Sequence, residues 1–509
     1  MASLTLASLL SVALFQGGAA SPLPSQASAS NYPTRPNPSQ LTWGPCPDPF
    51  ESTPDVTCAN YSVPIDWENP DENDTIVLGM IRIEARDKSR RIGNLFVNPG
   101  GPGGQATSLV SAIAQDSSSI SDEILDHFDI IGLDPRGVGL STPVQCDVAA
   151  YNKRVSFFPS TEDEYDELVA YNRAFGQSCR ERTGRLLDFV DTISAARDHE
   201  AVRLALGGEK VSFVGLSYGT QLFSQYAELY PDGFRAMVLD GILEHSQSEA
   251  SNLLIESNAY EATLKQFFAW CRGNDECAIA GQDAQTAYLA VLAKARQAPI
   301  PAPGCDDSPK TGCRSSVTEE EARFNVQGLV IRTAGWPRLA QALTDARGGN
   351  ATLLSSAQPI AVGDAYEDSY LFGGAAIQCQ DWSHGADSLA AVQEKQILGA
   401  TFSPLTRGAC QSYRIQTSCI GWPAPLSNPE RALSYDGDAK ILMVNSIYDP
   451  STSFVWAAGL KAELGENAVL LTRNGTGHTS WRLGGATTDA ENAYLLNLTL
   501  PEPGTILDS

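Results

Sequence analysis

A serine flanked by glycines is the residue of this chain best suited to covalent chemistry. Ser217 lies in the motif Gly215-Leu-Ser-Tyr-Gly219, after a strand pattern that starts at Val211 and before a helical pattern that continues from Gln221. A strand, a sharp turn and a helix in this order expose a serine hydroxyl at the helix N-terminus. Glycines suit the turn because its backbone is strained and packs closely against its neighbours. The motif predicts that Ser217 is a nucleophile, and the alternative is a purely structural turn.

A serine hydroxyl is a weak nucleophile, so it needs a general base, most often a histidine. In a turn of this kind the acid and the histidine follow the serine in the chain, each on a loop after a strand. Of five histidines, only His478 follows a late strand, in a glycine-containing loop. The other four precede a strand, lie in a helical pattern or fall between the strand-rich regions: His127, His199, His245 and His384. We predict that His478 is the base; the alternative is a surface loop histidine.

An aspartate that orients the histidine is expected after the preceding strand. The strand pattern Lys440–Ser446 ends shortly before Asp449, which is therefore the predicted acid. Asp240 is the competitor, because it ends an earlier strand pattern from which the acid could also come. Asp436 and Asp438 precede their strand and should lie at the opposite edge of the sheet.

Two backbone N–H groups must hold the negative charge that develops on a substrate oxygen during attack. One is predicted to be that of Tyr218, the residue after the nucleophile. The other is predicted to come from the glycine loop 98–104, and Gly101 is our choice because a residue without a β-carbon lets the backbone approach closely. A phosphate cradle is the alternative, but Pro102 interrupts the required spacing. Asp134-Pro-Arg-Gly137 is interpreted as a structural turn near the site, and the alternative is a catalytic element.

Alternating strand and helix patterns surround these residues. Buried apolar runs that alternate with helices predict an α/β fold with a mostly parallel central sheet flanked by helices. The predicted strands are Thr75–Glu84, Asn94–Asn98, Phe128–Asp134, Val211–Val214, Phe234–Asp240, Lys440–Ser446 and Ala468–Arg473. The clearest helical patterns are Asp191–Leu206, Leu253–Cys271 and Ala284–Arg296. Residues 41–244 are assigned to the first part of the core, 245–430 to a large, mainly helical cap insertion, and 431–509 to the last part of the core, which carries the acid and the histidine.

The N-terminus is predicted to be a secretory signal. Leu4–Phe15 is apolar but too short to span a bilayer, and the small residues 18–20 follow it. Residues 1–20 are assigned as the signal peptide and residues 21–40, rich in Ser, Pro and Ala, as a flexible leader; the alternative is a disordered N-terminus. No later run is long and apolar enough to predict a membrane span. We expect a secreted, extracellular protein.

Cysteines and glycosylation motifs agree with secretion. Many of the eleven cysteines lie in close pairs, which favours disulfides formed in an oxidising compartment. The close pairs are Cys46/Cys58, Cys271/Cys277 and Cys305/Cys313. Cys146 and Cys179 flank one segment, and Cys379, Cys410 and Cys419 form a trio. Within the trio, spacing alone leaves the pairing open. Five N-glycosylation acceptors are present: Asn60, Asn73, Asn350, Asn474 and Asn497.

Length and charge limit the classes of function. The 509 residues fit a large core domain with an insertion, and 60 acidic against 35 basic residues give a net charge of −25. Such a surface repels phosphate backbones, so we expect no nucleic-acid partner. The cysteine and histidine spacings suggest no metal site, and the chemistry proposed for Ser217 needs no cofactor. The oligomeric state is left open.

Together these motifs resemble the α/β-hydrolases of the prolyl aminopeptidase and tripeptidyl aminopeptidase group. The resemblance rests on the segments 100–103, 134–137, 215–219, 375–381, 419–423, 449–450 and 477–478. It implies a secreted serine exopeptidase with a helical cap, which releases short peptides such as tripeptides, or single residues, from free N-termini through an acyl-enzyme. It also implies a Cys379–Cys419 disulfide that leaves Cys410 unpaired, whereas the local alternative is Cys410–Cys419.

The resemblance does not settle the substrate, because specificity depends on the cap as well as on the nucleophile. An aminopeptidase must bind a substrate ammonium. The carboxylates available are Glu244, Glu249 and Glu256, where the insertion begins, and Asp381 in its later part. The sequence does not choose among them. The first alternative function is a secreted carboxylesterase or lipase acting on small esters, with the same chemistry at Ser217. The second is a non-catalytic binding protein built on the same scaffold.

Overall fold

Strands and helices alternate in the first half of the chain and again near its end. The computed structural model describes residues 41–279, 281–308, 311–358 and 370–508. The expected signal peptide and leader, residues 1–40, lie outside the described residues. The strands are β1 Val56–Pro64, β2 Thr75–Ile83, β3 Gly93–Asn98, β4 Phe128–Leu133, β5 Val211–Leu216, β6 Phe234–Asp240, β7 Ile300–Pro301, β8 Ser316–Val317, β9 Ile441–Tyr448, β10 Ala468–Thr476 and β11 Ile506–Leu507.

The α-helices are distributed between these strands. In chain order they are α1 Ala106–Gln115, α2 Asp122–His127, α3 Val148–Asn152, α4 Glu162–Thr183, α5 Thr192–Ala205, α6 Tyr218–Leu229, α7 Glu249–Gly273, α8 Ala284–Gln297, α9 Glu319–Val330, α10 Trp336–Gly348, α11 Tyr370–Asp381, α12 Leu389–Phe402, α13 Gln411–Ser418, α14 Phe454–Leu464 and α15 Ala486–Asn497. Over the described ranges, no helix combines the length and the apolarity needed to cross a bilayer.

A single sheet of nine strands organises the core. Its order is β1-β2-β4-β3-β5-β6-β9-β10-β11, and every neighbouring pair from β4 to β11 is parallel. The antiparallel strands β1 and β2 form one edge. The mostly parallel sheet predicted from the apolar runs is confirmed. The sequence patterns did not predict β1, and they missed the long, charged helix α4.

Side chains of the central strands point alternately into two apolar layers, as the two-residue period of a strand requires. Phe213 packs in one layer with the α5 residue Val202 and the α6 residue Phe223. Val214 packs in the other layer with Val110 of α1 and with residues of α2 and α15. Because both faces are covered, the strands are almost entirely apolar, and each fully buried aliphatic side chain contributes about 1.5–3 kcal/mol.

The segment between β6 and β9 has an apolar core of its own. Helices α7, α8, α9 and α10 bury Tyr260, Leu264, Tyr288, Val326 and Leu343 against one another. The short antiparallel pair β7–β8 lies within this segment. The helical character expected for the region between the two strand-rich parts is therefore seen in the described residues.

Five disulfides connect the described cysteines. They join Cys46 to Cys58, Cys146 to Cys179, Cys271 to Cys277, Cys305 to Cys313 and Cys379 to Cys419. Cys410 is buried and unpaired. The three close pairs are confirmed, and so is the Cys379–Cys419 bridge implied by the resemblance; Cys146 and Cys179, which flank one segment, are also joined. The local alternative, Cys410–Cys419, is wrong. The bridge ties the C-terminal turn of α11 to the end of α13.

Candidate active site

Four neighbouring parallel strands bring the sequence-predicted residues to one edge of the sheet. Ser217 follows β5, Asp240 ends β6, Asp449 follows β9 and His478 follows β10 shortly after Thr476. These strands are adjacent in the order β5-β6-β9-β10, so their carboxyl ends meet at the same edge. In open α/β sheets this is the edge where ligands bind. Residues up to 261 positions apart in the chain thus share one region because of the parallel strand order.

Ser217 occupies the strained turn that its motif predicts. Its φ is 57° and its ψ is −126°, a conformation that a non-glycine residue rarely adopts. It is the N-cap of α6, but its hydroxyl makes no capping hydrogen bond. A β-carbon on Gly215 would collide with the carbonyl oxygen of Gly219, and one on Gly219 would lie 2.8 Å from the carbonyl oxygen of Asn98. Both glycines are therefore required by close backbone packing, and the turn leaves the hydroxyl uncommitted.

The glycine loop after β3 passes directly over this turn. Gly100 has a φ of +89°, and a β-carbon there would lie 2.8 Å from Ser217 Cβ and 2.9 Å from the Tyr218 nitrogen. The Gly100 amide donates to Asn98 Oδ1 at 2.9 Å, and the Gly104 amide donates to the Gly100 carbonyl at 3.0 Å. Pro102 has no amide hydrogen. Gly101, which lines the same cavity as Ser217, is thus well placed to offer its N–H to a ligand.

Tyr218 is the first residue of α6, so its amide has no acceptor within the helix. Helix N-termini carry partial positive charge and favour anions. The amides of Tyr218 and Gly101 are therefore the two candidate donors to a substrate oxygen.

His478 and Asp449 form a buried pair. His478 Nδ1 lies 2.8 Å from Asp449 Oδ2, and the two residues are 8% and 1% exposed. The other carboxylate oxygen of Asp449 accepts the amides of Ser451 and Thr452 at 2.9 and 2.8 Å. The Thr452 hydroxyl donates to Asp449 Oδ2 at 2.9 Å and lies 3.1 Å from His478 Nδ1. Because Nδ1 faces the carboxylate, it carries the proton, and Nε2 is left to act as a base.

Asp240, the competing acid, has a different set of partners. Its Oδ2 accepts the amides of Ser480 and Trp481 at 2.5 and 2.9 Å, directly after His478 in the chain. Complete burial raises the pKa of this carboxyl, while these two hydrogen bonds oppose the shift. The Gly477 carbonyl on the other side of His478 accepts from Ser446 Oγ at 2.6 Å. The Asp240 side chain thus binds the backbone of the loop that carries His478, whereas the Asp449 side chain contacts the imidazole itself.

A large cavity opens between Ser217 and the helices of the segment 245–430. Its volume is about 1240 Å³, and Ser217, Gly101, Leu243 and Thr452 lie at its core end. The remaining wall mixes charged and aromatic side chains, and the aromatic ones are Tyr151, Phe157, Phe158, Tyr171, Phe175, Phe324, Tyr370, Trp382, Trp422 and Trp456. The volume exceeds that of a typical small-ligand pocket, so a peptide of several residues would fit.

The four carboxylates singled out in the sequence differ in their surroundings. Glu244 and Glu256 line the cavity; Glu249 is paired with Lys395, and Asp381 is fully buried away from it. Glu256 accepts four hydrogen bonds, from the amides of Gln411 and Ser412, the Ser412 hydroxyl and the Gln327 side chain.

Glu244 has fewer partners than the other cavity carboxylate. The Ser246 hydroxyl and the Gln247 amide both donate to its Oε1, at 2.8 and 2.7 Å. Burial raises the pKa of this carboxyl, and the two hydrogen bonds oppose the shift. Of the two carboxylates that line the cavity, Glu244 therefore accepts fewer hydrogen bonds, two against four for Glu256.

Sequence reasoning missed several residues of this site. Thr452 and Asn98 were not singled out, although one contacts both members of the His478–Asp449 pair and the other holds the glycine loop. Their positions were a usable signal, because Thr452 follows Asp449 by three residues and Asn98 ends a predicted strand just before the glycines. Asp134-Pro-Arg-Gly137 is structural, since Arg136 forms a buried ion pair with Asp198 at 2.6 Å. Among the described residues, no cluster of three acidic, histidine or cysteine side chains could hold a metal ion.

Two family models match the chain. Residues 93–315 match the model described as alpha/beta hydrolase fold, and residues 404–506 match the model described as TAP-like protein. The second match includes the loops of Asp449 and His478. The first ends within the segment 245–430.

Three curated relatives are similar over most of their length. Carboxylesterase B of Mycobacterium tuberculosis is 30% identical over 487 residues, covering 91% of this chain and 89% of the relative. Serine protease Hip1 of the same species is 28% identical over 491 residues, covering 91% and 90%. Tripeptidyl aminopeptidase of Streptomyces lividans is 26% identical over 451 residues, covering 86% and 81%. The three names share hydrolysis of an acyl bond and differ in substrate.

Proposed function

The chain belongs to the α/β-hydrolase group that includes the TAP-like proteins, and from this premise we propose that it is a secreted serine exopeptidase acting on free N-termini. That it is a hydrolase follows from the family. The nucleophile, the substrate and the secretion are our proposals. The main support for the chemistry is the buried 2.8 Å contact between His478 and Asp449 at the sheet edge that carries Ser217.

The proposed reaction has two stages. Ser217 Oγ attacks the carbonyl carbon while His478 Nε2 takes the hydroxyl proton, and Asp449 stabilises the resulting imidazolium. The oxyanion accepts hydrogen bonds from the amides of Gly101 and Tyr218. When the carbonyl reforms, the C–N bond breaks, His478 passes its proton to the leaving amine, and an ester links the acyl group to Ser217. Water then attacks this ester with His478 as base, and Ser217 leaves with the proton restored.

Glu244 is proposed to bind the substrate ammonium. It lies in the loop that follows β6, four residues beyond Asp240, and lines the cavity that contains Ser217. With the substrate ammonium bound to Glu244, the distance from Glu244 to the reacting carbonyl would limit how many residues fit on the acyl side of the cleaved bond. Because a charge-assisted hydrogen bond in a buried site is strong, a blocked N-terminus would be disfavoured.

Secretion is proposed from the covalent features of the chain. Five disulfides are typical of an oxidising compartment. The five N-glycosylation acceptors, Asn60, Asn73, Asn350, Asn474 and Asn497, are all exposed, so a glycan could be attached at each without disturbing the core.

A substrate panel tests the proposed specificity. The purified protein is given tripeptidyl, dipeptidyl and aminoacyl amides with free N-termini, the same compounds with acetylated N-termini, and simple p-nitrophenyl esters. We expect the free peptides to have the highest kcat/KM and acetylation to lower it strongly. Preference for acetylated peptides, or turnover of esters alone, would contradict the exopeptidase proposal.

A carboxylesterase is the second candidate, because one relative at 30% identity carries that name. The chemistry at Ser217 would be the same, and the large aromatic cavity could accept an apolar acyl group. In the same panel, this candidate predicts rapid turnover of esters and none of free peptides. Covalent labelling by a fluorophosphonate separates both enzymes from a non-catalytic binding protein, which would not be labelled.

A further inference from the structure

Helix α11 of the segment 245–430 contacts both elements that carry the candidate oxyanion donors. We propose that α11 is a positioning element for the oxyanion hole, acting on the Gly101 loop through Gly374 and on Tyr218 through Asp381 and Thr192. The inference rests on the proposed function for the identity of the two donors. It adds that this segment contributes to the rate of the chemical step, and not only to the choice of substrate.

The first contact is backbone against backbone. Gly373 and Gly374 lie inside α11, although glycine costs about 1 kcal/mol relative to alanine in a helix interior. A β-carbon on Gly374 would lie 2.7 Å from the Pro102 carbonyl oxygen, and one on Gly103 would lie 2.8 Å from the Gly374 nitrogen. No side chain fits between the helix and the loop. The height of the Gly101 loop above Ser217 therefore depends on where α11 lies.

The second contact is a chain of buried hydrogen bonds from the end of α11. The Thr192 hydroxyl donates to Asp381 Oδ2, and the Thr192 amide donates to Oδ1 at 3.0 Å. Because Thr192 donates its single hydroxyl proton to Asp381, its oxygen is left to accept from the Tyr218 hydroxyl, 2.5 Å away. The relay thus runs from the Tyr218 ring, through Thr192, to Asp381.

Asp381 is further fixed from two other sides. Asn428 Nδ2 donates to its Oδ1 at 2.9 Å, and Gln221 Nε2 lies 3.4 Å from its Oδ2. Gln221 belongs to α6, the helix that Tyr218 begins. The first turn of α6 is therefore joined to Asp381 at two points. A carboxylate that is 0% exposed and fully hydrogen-bonded is a rigid anchor.

Gly374 lines the substrate cavity, but the hydrogen-bonded side chains of the relay do not. Neither Thr192 nor Asp381 lines the cavity, whereas Gly101 and Ser217 do. The Tyr218 ring is 1% exposed and points into the apolar layer beside α5 and α6. The relay thus reaches the reacting atoms only through the Tyr218 backbone. Loss of the relay should weaken stabilisation of the oxyanion and leave ground-state binding of substrate almost unchanged.

The matched pair Thr192→Val and Thr192→Ser tests this inference. Valine keeps the β-branch and removes the hydroxyl, whereas serine keeps the hydroxyl. Each variant is measured for kcat and KM on a p-nitrophenyl ester and for inhibition by a trifluoromethyl ketone, whose hemiketal with Ser217 carries an oxyanion. We expect Thr192→Val to lose about tenfold in kcat and in ketone affinity, with KM changed by less than about twofold, and Thr192→Ser to stay near wild type.

Tyr218→Phe is the second variant, in case Thr192→Val does not fold. It removes the same hydrogen bond from the other end and keeps the ring, so the same loss is expected. Wild-type kcat and ketone affinity in folded Thr192→Val or Tyr218→Phe would overturn the inference, as would an equal loss in valine and serine variants. The ester readout does not depend on peptide specificity. Failure of the proposed nucleophile would instead be seen as activity retained by Ser217→Ala, whatever the Thr192 variants do.

Discussion

Asp449 contacts the imidazole of His478 at its Nδ1 atom, which lies 2.8 Å from Asp449 Oδ2. The Asp449 carboxylate is held in this orientation because its other oxygen accepts hydrogen bonds from two backbone amides of the loop that follows β9. Asp240, one strand closer to Ser217, contacts the backbone after His478 instead. This division of roles between two aspartates leads to the first prediction.

Asp449→Asn is expected to lower kcat by about 10⁴-fold with little change in KM, because asparagine favours the wrong imidazole tautomer. Asp240→Asn should cost far less activity and show its main effect as a lower unfolding temperature. Steady-state kinetics and thermal unfolding of the two variants measure both effects. If Asp240→Asn lost more activity than Asp449→Asn while remaining folded, the acid would have to be reassigned.

Glu244→Gln is expected to raise KM for peptides with free N-termini by about tenfold, because one charge-assisted hydrogen bond to the substrate ammonium is lost. Turnover of p-nitrophenyl esters should be unaffected, because they carry no ammonium. Glu249→Gln is the matched control, since Glu249 is paired with Lys395 and does not line the cavity. An unchanged KM in Glu244→Gln, or an equal rise in both variants, would remove Glu244 from the substrate site.

Removal of the Cys379–Cys419 bridge is expected to destabilise the protein by about 2–4 kcal/mol, because it closes a loop of 40 residues. The double variant Cys379→Ser, Cys419→Ser is compared with Cys410→Ser by urea unfolding. Cys410 is buried and unpaired, so its variant reports only the cost of placing a hydroxyl there. A larger loss for Cys410→Ser than for the double variant would contradict the assigned pairing.

Two buried carboxyls should contribute less to the free energy of unfolding as the pH rises from about 4 to about 7. Burial raises the pKa of Asp381 from 3.8 to about 7, with Asp191 adding to the shift and the Thr192 hydrogen bond opposing it. Burial also raises the pKa of Glu320 to about 7. A carboxyl whose pKa is higher in the folded state than in the unfolded state binds its proton more tightly when the protein is folded. Its contribution to the free energy of unfolding is therefore complete below the unfolded-state pKa and is lost as the pH rises through the folded-state pKa.

Asp381→Asn replaces one of these two titrating carboxyls with an amide that does not titrate. We expect the difference in unfolding free energy between pH 5 and pH 8 to be smaller in this variant than in the wild type, as measured by urea unfolding. An identical pH dependence in the two proteins would show that Asp381 does not titrate in this range.

Much of the site could be predicted from sequence because its signals are local. Gly215 and Gly219 predict a tight turn, and the structure gives Ser217 the positive φ that such a turn requires. Strand patterns placed Asp449 and His478 after β9 and β10, and the parallel strand order brings them together. Three of the five disulfides also follow from local spacing, and Cys379–Cys419 follows from the resemblance.

The remainder depends on contacts between distant parts of the chain. Asp381 could be noticed as an acid, but its hydrogen bond to Thr192 spans 189 residues and leaves no periodic pattern. Helix α4 was not predicted because its many charged residues make the apolar periodicity of its buried face weak. Its N-terminus did carry a signal, since Thr161 caps the helix and three acidic residues follow in the first turn. The choice between Glu244 and Glu256 required their hydrogen-bond partners, which come from α9, α13 and the loop after β6.

The central claim is that Ser217 is the nucleophile, and reaction of Ser217→Ala with a fluorophosphonate tests it most directly. Intact mass and ester turnover are measured on the wild type and on the variant, with circular dichroism to show that both are folded. We predict that the wild type gains one covalent adduct on the peptide containing Ser217, and that the variant gains none and loses turnover by about 10⁴-fold or more. A labelled, active Ser217→Ala protein would contradict the account.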